Sequence, residues 1–167
     1  MTENGEKKQS KSMGRSRRNA LREARVMVLE ALFSREYGEG THLSPKEVFP
    51  AKDDLDPKSR EFRDRLLMGI QENQPVLDSL IADTASGWTI DRMAKVERNI
   101  LRIGTYEILH EETIPFRVSI DEALEMAHQY CEPEAIPFIN GILHRIGMEH
   151  SAEKAMAPVP QREDPGS

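Results

Sequence analysis

Apolar residues return every three or four positions along most of this chain, a period that belongs to helices rather than strands. From about Ser16 to Tyr37, Leu21, Ala24, Val28, Ala31 and Leu32 form one such series, and the glycines of "YGEGT" close it. "LSPKEVF" predicts a short helix with Ser44 as N-cap and Pro45 in the first position. "LDPKSREFRDRLLMGIQEN" repeats the signature: Asp56 caps, Pro57 follows, and Phe62, Leu66, Gly69 and Ile70 share a side. Asn73 and Pro75 punctuate. Val76, Leu77, Leu80 and Ile81 make a further periodic piece before "SGW" breaks the chain.

A strong helix is predicted over about 91–111, with Met93, Val96, Ile100, Ile103 and Gly104 on one face. Beyond Pro115, Ser119 and Glu122 read as an S-x-x-E capping box. That box would open a helix burying Ile120, Ala123, Leu124 and Ala127. Pro133 and Pro137 mark the start of the last helix, with Phe138, Ile139, Ile142, Leu143 and Ile146 inward. Asn140–Gly141 is a dipeptide common in hairpins. The helical period runs straight through it, so Gly141 is expected to permit a close helix–helix approach. The expectation is an all-α fold. Residues 1–14 read as a disordered basic tail, 15–148 as one helical domain and 149–167 as a second disordered tail.

Composition narrows the class. The 167 residues suffice for one core, and 31% of them are charged. No window approaches the run of about 18 apolar residues that a membrane span requires. The opening "MTENGEKKQSKSMG" has no apolar stretch after its charges, so no secretory signal is expected. Cys131 is the only cysteine, which excludes an internal disulfide and fits a reducing cytoplasm.

Charge is distributed unevenly. Residues 1–35 hold nine Lys/Arg against four Glu, a net of +5, and the remainder holds fourteen basic against twenty-five acidic residues, a net of −11. Such asymmetry suggests a basic arm for a polyanion beside an acidic body. On a helix, Arg15, Arg18, Arg22 and Arg25 fall in a sector of about 80°, and the centre of the apolar stripe of Leu21, Ala24, Val28 and Ala31 lies more than about 90° from the centre of that sector. Leu29 and Phe33 continue the arginine stripe toward the C-terminal end. Arginine forks pair with phosphates and stack on bases, which suits single-stranded RNA. A solvated cationic face is the competing reading. Pairing with acids close in sequence is limited to Glu23, which sits on another face.

Three motifs in register carry a resemblance. Trp88, Arg92, Glu97, Arg98, Leu101, Arg102, Tyr106 and Glu107 follow a W-x-x-x-R…ER-x-x-LR-x-x-x-YE run. Pro115, Val118, Ile120, Asp121, Glu122 and Ala123 follow P-x-x-V-x-I-[ND]-E-A, and Phe138–Leu143 follows F-[IV]-N-G-[IV]-L. With an arginine-rich first helix, the chain resembles the bacterial transcription antitermination factors of the NusB family, over roughly Arg15 to Ile146. The resemblance implies two small helical bundles of about seven helices with flexible termini. It implies a protein partner, the ribosomal small-subunit protein NusE, and an RNA target, the boxA element of nascent ribosomal RNA. The complex helps RNA polymerase resist premature termination and aids ribosomal RNA maturation. Family members occur as monomers and dimers, so a homodimer stays open.

The resemblance also assigns residues. The arginine-rich start, Arg15, Arg17, Arg18, Arg22 and Arg25, would contact RNA. "REAR" at Arg22–Arg25 matches the family's R-x-A-R, although Val26 stands where the family usually has Glu. A second RNA surface maps to Tyr130, Glu134 and Phe138, where the aromatics suit base stacking. Glu134 has an alternative role as a helix N-terminal acid favoured by the dipole. The NusE-facing surface maps to Phe33 and Glu97, with core packing the alternative for Phe33 and local ion pairs for Glu97.

Three rivals are weaker. A similar helical domain precedes the catalytic domain of some ribosomal RNA cytosine methyltransferases, but the Gly-rich turn that would hold a cofactor is missing here, so neither an enzyme nor a cofactor is expected. "HQYC" places His128 and Cys131 three apart. Structural zinc takes four ligands, and His110, His144 and His150 are not spaced to complete the set, so no metal site is expected. A protein-only helical adaptor accounts for the acidic body but leaves the arginine stripe unexplained.

Overall fold

The computed structural model describes the backbone of residues 3–38 and 41–156, and side chains within 17–38 and 41–156. Its helices are α1 (Glu3–Arg35), α2 (Pro45–Val48), α3 (Pro57–Glu72), α4 (Gln74–Thr84), α5 (Lys95–His110), α6 (Phe116–Tyr130) and α7 (Ala135–Met156). A 3₁₀ turn at Ile90–Arg92 leads into α5, and the described residues include no strand.

Two bundles share one core. α1 lies against α3, with α2 packed on α3; α5, α6 and α7 pack on one another, with α4 against α5 and α7. α5 also touches α1 and α3, so the apolar interior is continuous. Leu66, Leu67 and Ile70 of α3 and Ile100, Leu101 and Ile103 of α5 are fully buried within it.

Close helix approach depends on three glycines. A Cβ at Gly69 would overlap the Tyr106 ring, one at Gly104 would fall 2.8 Å from a Leu143 methyl, and one at Gly147 would overlap the Phe116 ring. The expectation for Gly141 is overturned. It is exposed, and nothing lies within 4 Å of where its Cβ would sit.

The local signals held in part. Asp56 caps α3, accepting from the Ser59 backbone N–H at 3.3 Å, and Pro57 occupies the first turn. In "SGW", Ser86 and Gly87 turn the chain with φ of 48° and 99°. The capping box at Ser119 is not one. α6 begins earlier, at Phe116 after Pro115, and neither Ser119 nor Glu122 serves its N-terminus. Their side chains turn to α5 and α1 instead. Val76, the first residue of the periodic piece that forms α4, is exposed.

The expected tails also differ. α1 begins at Glu3, within the stretch read as disordered, and α7 continues to Met156, eight residues beyond the expected boundary at 148. Residues 1–2 and 157–167 lie outside the described part. Lys154 of α7 reaches Glu112 at 3.5 Å, which ties the extra turns to the α5–α6 connection.

Candidate nucleic-acid interface

The arginine stripe of α1 divides into three. Arg25 is buried, 3% exposed, and donates from Nε and Nη2 to both oxygens of Glu107 on α5, at 2.9 and 2.7 Å. Glu107 also accepts from the Ser119 hydroxyl of α6 at 3.2 Å, and the Arg25 guanidinium lies 5.1 Å over the Phe62 ring of α3. Burial pushes the Glu107 carboxyl above its ordinary range, while the Arg25 fork and the Ser119 hydroxyl pull it back. Arg25 is therefore a junction between the bundles, and its expected place on the RNA surface is corrected.

Geometry explains the correction. The buried positions Ala24, Arg25, Val28, Leu29, Ala31 and Leu32 span an arc of about 160° on the helix, and Arg25 lies inside it. Leu29, which extends the arginine stripe, is itself buried. Acids distant in sequence, which spacing along the chain does not reveal, complete the arginines' partners.

Arg22 sits at the edge of that arc. Its Nε and Nη2 donate to Glu122 of α6 at 2.9 and 3.1 Å, yet 42% of its side chain remains exposed. The hydrogen bond to Glu122 holds its guanidinium pKa above the ordinary value. Arg17, Arg18 and Asn19 are all exposed. Three consecutive residues point in three directions around a helix, so α1 has left the bundle there and carries its arginines outward. Arg15 lies in the helical backbone, and its side chain is outside the described residues.

The remaining candidates meet around Glu97. Phe33, Glu97 and Tyr130 line one cleft of about 310 Å³, together with Tyr37 and Cys131. Glu97, Glu134 and Phe138 line a second of about 340 Å³, together with Trp88 and Arg92. The two surfaces expected from the motifs are thus neighbours, with the Glu97 carboxylate between them. Phe33 is half-buried and meets Tyr37 edge-on at 5.1 Å, and Lys95 Nζ sits 4.0 Å over the Tyr37 ring. Among the described residues no cation lies within 4.0 Å of Glu97, so it forms no local ion pair. Burial alone raises its pKa. In the same cleft, burial followed by the Glu97 charge pushes the Cys131 thiol up to about 11.

Trp88, Arg92 and Tyr37 were not among the expected site residues. The first two stood in the motif run without a role, and an exposed tryptophan beside charged residues was the available signal. By contrast, Arg98 and Arg102 of that run are structural. Arg102 grips Asp78 of α4 at 2.7 and 2.9 Å, and both arginines bind Glu36 at the end of α1.

A family model described as the NusB family matches residues 22–147. The chain belongs to the NusB family. The transcription antitermination protein NusB of Thermotoga sp. (strain RQ2) is 38% identical over 133 residues, covering 80% of this chain and 94% of that protein. The solved T. maritima NusB superposes with a TM-score of 0.73 at 38% identity, over 80% of this chain and 94% of that one. A structure reported as antitermination factors NusB and NusE in complex with dsRNA shares the fold, with a TM-score of 0.69 and 23% identity over 78% of this chain and 98% of that one. NusB proteins are transcription antitermination factors, so the expectation of a non-enzymatic regulator is borne out along with the fold. No helix among the described residues is long and apolar enough to cross a membrane.

Proposed function

We propose that this chain works with the ribosomal small-subunit protein NusE to bind boxA-like single-stranded RNA in nascent ribosomal RNA. As part of the RNA polymerase antitermination complex in the cytoplasm, it would limit premature termination and aid ribosomal RNA maturation. The observation that carries this reading is the NusB family match over residues 22–147.

The geometry supports a division of labour. Arg17 and Arg18, and Arg22 in part, present guanidinium groups on a projecting helix and supply phosphate contacts, and Arg15 precedes them in the sequence. Tyr130 and Phe138 offer aromatic surface for bases, with Glu134 beside Phe138. Phe33 and Glu97 border the cleft given to NusE. A half-buried carboxylate without a cation favours a basic side chain from a partner.

The test is a fluorescence-anisotropy titration of a boxA-like oligonucleotide, with and without purified NusE. Binding that tightens with NusE and weakens with salt is expected. Absence of binding under both conditions overturns the proposal.

A further inference from the structure

We propose that the side of α1 beside α2 is a docking groove for a partner-protein segment that carries an apolar residue followed by an acid. The apolar side chain sits between α1 and the 41–50 segment, and the carboxylate pairs with Arg35. This surface is separate from those given above to RNA and NusE: Arg35 and Phe33 point about 160° apart around α1.

Arg35 closes the last turn of α1, inside the arc that the helix buries, and is half-buried. Among the described residues, every other buried or half-buried arginine has a carboxylate within 4.0 Å, and Arg35 has none. Its Nη2 donates to the neutral side chain of Gln74. Two acids line the same cavity, but Glu36 accepts from Arg98 and Arg102, and Asp78 from Arg102. Three guanidinium groups therefore share two carboxylates. Burial, then the Arg102 charge, lowers the Arg35 pKa, as befits a cation short of a counter-charge. An incoming carboxylate supplies it and can be gripped by two N–H groups.

The groove beside Arg35 is apolar and held in shape. Met27 and Ala31 of α1, with Leu43, Val48 and Phe49, line a space of about 480 Å³. Arg35 borders both this space and a polar one of about 410 Å³, so an apolar side chain and an acid are received next to each other. Gln71 of α3 bonds the N–H and the carbonyl of Leu43 at 2.7 and 2.9 Å, and the Arg63 guanidinium lies 4.1 Å over the Phe49 ring. A wall fixed in this way spares a ligand the cost of ordering it. Glu30 is exposed at the rim, about 7.5 Å from Arg35 along the helix axis. It repels acids, so the partner's carboxylate belongs at the Arg35 end. An apolar cleft with Glu30 at its rim also disfavours a phosphate backbone, so a protein segment fits and RNA does not.

The experiment selects phage-displayed random peptides on the full chain, then titrates the enriched peptides by fluorescence anisotropy. An apolar residue followed within three positions by Asp or Glu is expected in them. Changing that acid to its amide should weaken binding about tenfold in the parent and have little effect in Arg35→Met, the coupling expected of two groups in contact. Arg35→Met keeps the aliphatic stem and removes the charge, so its thermal stability should not fall. Met27→Glu should weaken the same peptides from the groove side, and NusE should bind the peptide-loaded chain unchanged. No enriched peptide, or an equal loss from the amide change in parent and Arg35→Met, overturns the proposal. A parent indifferent to the amide change, beside a Glu39→Gln variant that responds to it, assigns Arg35 to an acid of its own chain, and the docking groove falls. Displacement of the peptide by NusE or RNA moves it to the surfaces described above. Self-association abolished by Arg35→Met gives the groove to a second copy. Either result also overturns the proposal.

Discussion

Arg25 of α1 and Glu107 of α5 form a two-pronged ion pair at 2.9 and 2.7 Å, inside the junction of the two bundles. Removing one partner of such a pair strands a charge, which costs about 3–5 kcal/mol. Arg25→Ala and Glu107→Gln are each expected to fall in or near that range by urea unfolding. Arg25→Met combined with Glu107→Leu should recover most of the loss, because an apolar pair needs no desolvation. Single variants within about 1 kcal/mol of the parent would show that the pair is not the junction described.

A separate expectation concerns Arg17 and Arg18. Replacing both with Gln keeps helix propensity and disturbs no ion pair among the described residues. Thermal stability should hold. Each lost phosphate contact should flatten the log–log salt dependence of RNA binding by about 0.7 for a single strand. Arg22→Gln should show both effects in part, since it loses Glu122 as well as a surface charge. An unchanged salt slope in the Arg17/Arg18 double variant would make that face merely solvated.

These two sets of arginines mark how far the sequence could be read. Local signals were legible where local physics decides: Asp56 with Pro57 opened α3, Ser44 with Pro45 marked α2, and the apolar period traced the buried stretches of the longer helices. The S-x-x-E spacing at Ser119 and Glu122 misled because both side chains answer to groups far along the chain, Glu107 and Arg22. The arginine stripe misled in the same way. Arg18 and Arg25 lie within about 20° of each other on the helix, yet one is exposed and the other buried. What separates them is where α3, α5 and α6 end against α1, and spacing within α1 does not contain that. The contiguity of Phe33, Tyr130, Glu134 and Phe138 around Glu97 is likewise a product of packing between α1, α5, α6 and α7.

Glycine substitutions should sort by packing. Gly69→Ala forces a methyl into the Tyr106 ring, and overpacking of that kind costs about 1–3 kcal/mol. Gly141→Ala meets nothing within 4 Å in the middle of α7. There it should stabilise the fold by up to about 1 kcal/mol through helix propensity. Chemical denaturation of the two variants would test the contrast. A destabilising Gly141→Ala would mean that this face of α7 is covered by something.

Glu97 and Cys131 share a cleft and should titrate as neighbours. Burial raises the Glu97 pKa in the fold, so its neutral form is the one the structure favours. Below the unfolded-state value of about 4.3, Glu97 is neutral folded or unfolded and carries no penalty. As pH rises through that value and past the folded one, the buried charge forms and stability is lost. Glu97→Gln should therefore match the parent in acid and exceed it above that window, seen as urea midpoints across a pH series. The same substitution removes the second cause of the raised Cys131 pKa, which stands at about 11. In the parent, that value holds the thiolate fraction near neutral pH about 100-fold below that of an ordinary cysteine, so alkylation by iodoacetamide should be slow. Glu97→Gln should speed it. A variant with unchanged alkylation rate and the same pH profile as the parent would show that the Glu97 charge reaches neither the fold nor the thiol.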